Sequence, residues 1–137
     1  MSLSPTGTSS PTKFQSGTDS LSSGKHLICD IKNIKNESLM NDINGLKNML
    51  DTICERYLFT ILNKAEHCFT PQGITILYLL SESHISVHTF PERNYIAMDI
   101  YTCKDYPNND VYVEIQNYLT SNFESSDDRY IIIDREY

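Results

Sequence analysis

The sequence lacks the features that mark several classes of protein. Its four cysteines include no pair with CxxC spacing, and the count is low for a small domain held together by disulfides. No apolar run approaches the ~20 residues needed to cross a bilayer, and the N-terminus shows no basic-then-apolar signal pattern. These absences predict a cytoplasmic protein in a reducing compartment, in which Cys29, Cys54 and Cys68 are small buried residues.

Positive charge is also scarce. Eleven Lys and Arg residues face 18 Asp and Glu residues, which gives a formal net charge of -7. Because such a chain repels nucleic acid and anionic lipid, neither nucleic acid nor a membrane is an expected partner. The charge is compatible with a cationic or polar metabolite.

The composition changes near residue 25. Residues 1–24 consist mainly of Ser, Thr, Gly and Pro, with too few large apolar side chains to offset the entropy of ordering, so we expect a disordered tail. Residues 25–137 have the size of a single domain.

Apolar periodicity predicts two helices and a set of strands in this domain. Three- and four-residue spacings indicate helices over about 37–57, after an N-cap at Asn36, and over about 108–123. Alternation and short apolar runs indicate strands over 26–31, 59–69, 74–80, 84–89, 95–102 and 130–134. Hairpin-like connections between the middle strands predict an α+β fold, a two-layer sandwich of a mostly antiparallel sheet with two helices on one face.

One strand suggests a partner subunit. The run Ile74–Leu80 is apolar on both sides, which two helices on one face do not explain. A second copy packed sheet against sheet would cover it, so we expect a homodimer.

Chemistry-bearing residues interrupt the apolar stretch at 81–84. The residues by themselves leave a surface turn between two strands as the simplest interpretation. Zinc binding by His84 and His88 lacks further ligands at a suitable spacing, so no metal is predicted. A serine hydrolase is disfavoured because GxSxG is missing.

Three segments together are more specific. They are FTPQG over 69–73, LLSESHISVHTFPE over 79–92 and AMDIYTC over 97–103. In these segments the chain closely resembles the short, prokaryotic-type S-adenosylmethionine decarboxylase proenzymes, and the resemblance extends over about residues 26–135.

The resemblance implies a cofactor made from the chain itself. The bond between Glu82 and Ser83 would be cut autocatalytically, giving fragments 1–82 and 83–137 and converting Ser83 into a pyruvoyl group. This group would form a Schiff base with S-adenosylmethionine and act as the electron sink for its decarboxylation. The product is the aminopropyl donor of spermidine and polyamine biosynthesis.

The resemblance also assigns roles around the cleavage site. His88 matches the histidine needed for processing, Thr75 a hydroxyl that assists it, and Cys103 the proton donor to the product carbon. Strict alternation would point Ser83 and His88 to opposite faces. If they act together, the strand must bend near Ser83 or the pair must meet across a turn.

Three further positions match the substrate-binding residues of the family. Phe69 and Phe90 match the two aromatic residues that sandwich the adenine, where Phe90 replaces the more usual Trp, and a nearby sulfonium cation suits their ring faces. Glu92 matches the acid that binds the ribose hydroxyls.

Two other functions remain open. A pyruvoyl enzyme of the same fold could decarboxylate another amino acid such as ornithine or arginine, although a plain amino acid would not use Phe69, Phe90 and Glu92. An uncleaved paralogue could serve as a non-catalytic regulatory subunit, although such a subunit has no need of Ser83, His88 and Cys103 together.

Overall fold

The structure is a computed structural model that describes residues 21–137, so the disorder predicted for residues 1–20 lies outside the described residues. Within 21–137, the elements in chain order are β1 (Ser22–Lys32), α1 (Ile43–Arg56), β2 (Ile61–Cys68), β3 (Ile74–Leu80), β4 (Ser83–Phe90), β5 (Tyr95–Thr102), α2 (Asp110–Phe123) and β6 (Asp127–Glu136). Short 3-10 turns lie at Glu37–Asn41 and Pro91–Arg93.

The strands of this part of the chain form one antiparallel sheet in the order β2-β3-β4-β5-β1-β6. Strands β2 to β5 are successive hairpins, while β1 pairs with β5 on one side and with β6 on the other. Because both helices contribute to the core on one side of the sheet, the predicted α+β sandwich is confirmed.

The pleat separates the two faces of the sheet. Along β5, Ile96, Met98 and Ile100 are buried in the core, whereas the alternate residues Ala97 and Asp99 point to the other side. Helix α1 buries Leu46, Met49, Leu50, Ile53 and Cys54, and α2 buries Tyr112, Ile115, Gln116, Leu119 and Phe123. We call the side of the sheet opposite the helices the open face.

The first helix begins later than predicted. Its N-cap is Asp42, whose Oδ1 accepts a hydrogen bond from the Gly45 backbone N–H at 2.9 Å. Asn36 does not cap a helix with its side chain: its Oδ1 accepts from the Ser38 hydroxyl at 3.3 Å, and its Nδ2 donates to the carbonyl of Asn122. The predicted start at residue 37 was therefore wrong: a 3-10 turn occupies Glu37–Asn41.

The first strand begins earlier than predicted and includes residues 22–24, which we had assigned to the tail. Gly24 makes this possible, because it has φ +108° and a Cβ there would lie 1.9 Å from the Thr102 carbonyl oxygen. A register shift between Ser22 and Lys25 interrupts the alternation, which is why the sequence pattern did not reveal this part of the strand.

One expectation about burial was wrong: Cys68 is exposed, whereas Cys29 and Cys54 are buried as predicted. In the single chain, Leu77 and Leu79 of β3 lie on the open face and are 47% and 54% exposed, which is the side that we expect a second copy to cover. None of the helices in residues 21–137 is long and apolar enough to cross a membrane.

Candidate active site

The predicted cleavage site lies in the tight turn between β3 and β4. Leu80 pairs with Ser83, so only Ser81 and Glu82 connect the two strands. Glu82 has φ +58°, in the left-handed region that costs a non-glycine residue roughly 1–2 kcal/mol. The carbonyl carbon that Ser83 would attack therefore belongs to a strained residue.

Strand pairing brings Cys103 to this turn. The Cys103 backbone N–H donates a hydrogen bond to Ser83 Oγ at 3.0 Å, and its thiol Sγ lies 3.4 Å from Glu82 Oε1. The contact arises because β5 runs antiparallel beside β4, so the residue that follows the end of β5 lies next to the first residue of β4. Glu82, Ser83 and Cys103 thus form one group, which we call the cleavage group.

A pocket of about 210 Å³ opens beside the cleavage group. Its lining residues are Leu58, Phe59, Thr60, Leu80, Ser81, Glu82, Ser83, Cys103 and Lys104. Lys104 Nζ lies 5.9 Å from the centre of the Phe59 ring and supplies a positive charge next to Cys103. The pocket therefore has room for a small polar group beside residue 83, and Lys104 favours a negative charge on that group.

His88 and Thr75 form a second group at the other end of the β3–β4 hairpin. His88 Nδ1 and Thr75 Oγ1 are hydrogen-bonded at 3.0 Å on the open face, where the two residues pair in register. His88 lies five residues along β4 from Ser83, or roughly 17 Å at 3.3 Å per residue. The register from Ser83 to His88 is unbroken, so neither the bend nor the turn that we considered brings the two together within one chain.

The predicted substrate-binding residues lie near this second end as well. Phe69 follows β2, is 53% exposed and contacts the His67 ring at a centroid distance of 4.5 Å. Phe90 ends β4, and its ring stacks on Tyr95 at 5.5 Å. Glu92 is in the 3-10 turn that follows β4.

A cationic side chain accompanies both Phe90 and Glu92. The Arg93 guanidinium carbon lies 5.2 Å from the centre of the Phe90 ring, and Arg93 Nε lies 4.0 Å from Glu92 Oε2. One chain therefore holds two groups of predicted site residues at opposite ends of β4, and it does not join them.

A cluster that the sequence analysis did not single out lies on the open face. Asp99 Oδ2 accepts hydrogen bonds from His26 Nε2 at 2.6 Å and from His84 Nε2 at 2.8 Å, and its Oδ1 accepts one from the Ser86 hydroxyl. Period-two alternation places His84 and Ser86 together, but only the pairing of β1 with β5 adds His26.

The protonation of this cluster follows from its contacts. Burial raises the pKa of the Asp99 carboxyl, but the hydrogen bonds from His26, Ser86 and His84 outweigh burial and hold the pKa well below its usual range. Asp99 is therefore an anion that accepts from three side chains.

Comparison with known proteins identifies the family. The family model for S-adenosylmethionine decarboxylase matches residues 25–136. An S-adenosylmethionine decarboxylase proenzyme of Methanococcus maripaludis is 40% identical over 97 residues, which is 70% of this chain and 79% of the relative. A proenzyme of Prochlorococcus marinus is 44% identical over 82 residues, covering 60% of this chain and 65% of the relative.

A solved structure agrees in fold. The crystal structure of adenosylmethionine decarboxylase from Aquifex aeolicus superposes with a TM-score of 0.74 at 23% identity, covering 86% of this chain and 94% of that chain. The likeness at this identity concerns the fold, and the sequence matches supply the relationship. The chain belongs to the S-adenosylmethionine decarboxylase family.

Proposed function

We propose that this chain is a self-cleaving proenzyme that decarboxylates S-adenosylmethionine through a pyruvoyl group derived from Ser83. The observation that carries the proposal is the cleavage group, in which a strained Glu82 precedes a serine whose Oγ is held by the Cys103 N–H. The product would be the aminopropyl donor used to make spermidine.

The cleavage reaction takes its atoms only from the turn and from water. The Ser83 hydroxyl adds to the Glu82 carbonyl carbon, and the C–N bond breaks, so that the amide becomes an ester and residue 83 gains a free amine. Elimination then releases the Glu82 carboxylate and leaves dehydroalanine. Addition of water expels ammonia and leaves the ketone of the pyruvoyl group at the start of fragment 83–137.

The residues around Ser83 fit such a group. The Cys103 N–H already donates to an oxygen on residue 83 at 3.0 Å, and the 210 Å³ pocket leaves room on the same side. When present, the pyruvoyl ketone supplies an electrophile that accepts the electrons released with carbon dioxide. Cys103 would return a proton to the substrate carbon from its exposed thiol, and Lys104 would favour the substrate carboxylate at the pocket.

The separation of the two groups supports a homodimer. His88 lies too far from Ser83 to act on it within one chain, so a role for His88 in cleavage requires the His88 of a second copy. The open face carries Leu77 and Leu79, whose exposed apolar side chains favour burial against another sheet. A face-to-face dimer would bring the His88–Thr75 group of one copy toward the cleavage group of the other.

The assignment of S-adenosylmethionine as substrate depends on Phe69, Phe90 and Glu92. Phe69 and Phe90 offer aromatic faces for an adenine ring, and Glu92 offers two acceptor oxygens to a ribose diol. Ornithine or arginine would leave all three unused. We place the enzyme in the cytoplasm, where the free Cys68 and Cys103 thiols suit a reducing environment.

The test is intact-mass analysis of the purified protein under native, reducing conditions. Wild type should give a fragment ending at Glu82 and one beginning with pyruvoyl at residue 83, and the pair should release labelled carbon dioxide from S-adenosylmethionine. Ser83→Ala should stay intact and inactive. A wild-type protein that remains full length would refute the cofactor, whereas cleavage with release of carbon dioxide only from ornithine or arginine would refute the substrate.

A mixing experiment tests the second copy. His88→Ala should stall before or at the ester, which hydroxylamine would cut. Coexpression of His88→Ala with Ser83→Ala should restore cleavage of the His88→Ala chains, since each Ser83→Ala chain supplies an intact His88. Cleavage of His88→Ala alone at the wild-type rate would contradict the role of His88.

A further inference from the structure

The cluster around Asp99 lies next to the predicted cleavage point in sequence and in space. His84 directly follows Ser83, and its ring is bonded to Asp99 at 2.8 Å. The His84 side chain is 45% exposed, so contacts with neighbouring side chains, rather than burial, fix its position. The Tyr101 ring is one such neighbour, at a centroid distance of 6.1 Å.

Cleavage would break the covalent connection between β3 and β4. In the uncut chain, the turn at Ser81 and Glu82 ties the start of β4 to β3. After cleavage, residue 83 would be the free end of a chain, and such ends fray unless side chains tie them down. His84 is the first residue after the cut whose side chain is bonded to a neighbouring strand.

The cluster also connects the two fragments. His26 belongs to fragment 1–82, whereas His84, Ser86 and Asp99 belong to fragment 83–137. His26, His84 and Ser86 all bond to the Asp99 carboxylate. Asp99 therefore connects the new chain end both to β5 and to β1 of the other fragment.

A metal site is the rival interpretation of the same atoms. The ligand atoms of His26, His84 and Asp99 lie within 4.8 Å of one another, as two imidazoles and a carboxylate do around a metal. However, Arg135 Nη1 lies 3.0 Å from His26 Nδ1, so that nitrogen accepts and the ring proton lies on Nε2, facing Asp99. A metal-bound histidine has the reverse arrangement, with its outer nitrogen donating to an acceptor. The contacts therefore favour a hydrogen-bonded anchor.

We propose that Asp99 is a positioning residue that holds the new chain end at residue 83 after self-cleavage, through its hydrogen bond to His84. The inference rests on the proposed function, because it requires the cut. Loss of the anchor lets residue 83 move relative to the Cys103 N–H, which lies 3.0 Å from Ser83 Oγ before cleavage. A displacement of about 1 Å is enough to reduce a rate by about 100-fold.

The test measures order at the chain end as well as turnover. Amide hydrogen exchange is compared for the peptide 83–90 in four proteins: wild type, Asp99→Asn, Ser83→Ala and the double variant. Exchange should be several-fold faster, on the order of 5-fold, in cleaved Asp99→Asn than in cleaved wild type. Exchange should change much less between the two uncut proteins, because the covalent turn still holds the strand.

Kinetics provide the second readout. Asp99→Asn should cleave to the same fragments, and its kcat should fall by about 10- to 100-fold with little change in KM, since the partners of Asp99 are His26, His84 and Ser86 rather than the residues proposed to bind substrate. Asp134→Asn is the matched control: it loses a carboxylate that bonds Lys25 Nζ at 2.5 Å on a neighbouring strand, and it should match wild type in both readouts.

Three results would overturn the proposal: equal loss of protection in cleaved and uncut proteins, no loss in either, or a bound metal found by elemental analysis that disappears in Asp99→Asn. If Asp99→Asn fails to fold, His84→Leu removes only the donor on the new chain end and should show the same loss confined to the cleaved form. Failure of the proposed function is separate, because it would appear as an uncut or inactive wild type.

Discussion

Cys103→Ala should separate formation of the cofactor from its use. The variant keeps the backbone N–H that donates to Ser83 Oγ at 3.0 Å, so the geometry of the cleavage turn is preserved. It removes the thiol, whose Sγ lies 3.4 Å from Glu82 Oε1. We therefore expect cleavage to fragments 1–82 and 83–137 to proceed, while turnover falls.

The expected size of the loss comes from the step that the thiol performs. A positioned proton donor contributes about 10²- to 10⁴-fold to a rate, which corresponds to roughly 2.7–5.4 kcal/mol at 1.36 kcal/mol per factor of ten. KM should change little, because the proposed proton transfer from Cys103 follows substrate binding and loss of carbon dioxide. A proton delivered to the wrong carbon would leave alanine at residue 83, so the variant should also inactivate during turnover.

The assay pairs fragment yield on a gel with release of labelled carbon dioxide, followed by intact-mass analysis of fragment 83–137. Cys68→Ala is the matched control, since Cys68 is also an exposed free thiol but lies at the far end of β2. If Cys103→Ala turns over like wild type without inactivating, Cys103 is only a strand-end thiol and another group donates the proton.

Further predictions concern assembly, thiols and acid stability. Leu79→Asp places a charge on the apolar part of the open face and should give a monomer in sedimentation velocity with activity lost in parallel; an active monomer would contradict the shared site. Burial raises the pKa of the Cys29 thiol to about 12 and that of Cys54 to about 11. At pH 8 iodoacetamide should therefore modify only the two exposed thiols, Cys68 and Cys103, in the native protein, and equal labelling of all four would disprove this. The folded pKa of Asp99 lies below its unfolded value of about 3.9, so its carboxylate stabilises the fold above that pH and the contribution is lost as the pH falls. The unfolding free energy of Asp99→Asn should therefore fall less steeply than that of wild type as the pH is lowered. An equal fall in the two proteins, measured by urea titration at each pH, would show that Asp99 contributes nothing to it.

The sequence determined the elements wherever a pattern reports directly on burial. The bounds of β5, Tyr95–Thr102, followed from alternation because only one face of the sheet is buried, so every second residue must be apolar. The start of α1 did not follow, because Asn36 and Asp42 are both acceptable caps. In the folded chain, Asp42 accepts from the Gly45 N–H and caps α1, while the Asn36 side chain donates to the Asn122 carbonyl near the end of α2.

The sequence alone also indicated which residues to examine, through a motif that contains Ser83, His88 and Cys103. Alternation correctly put Ser83 and His88 on opposite faces. Only the tertiary structure decided that Cys103 contacts Ser83 while His88 does not, because the first depends on how β5 pairs with β4 and the second on an unbroken register along β4. The Asp99 cluster is the clearest case: its donors come from β1 and β4, 73 and 15 residues away in sequence, and strand order, which no local pattern encodes, brings them to one carboxylate.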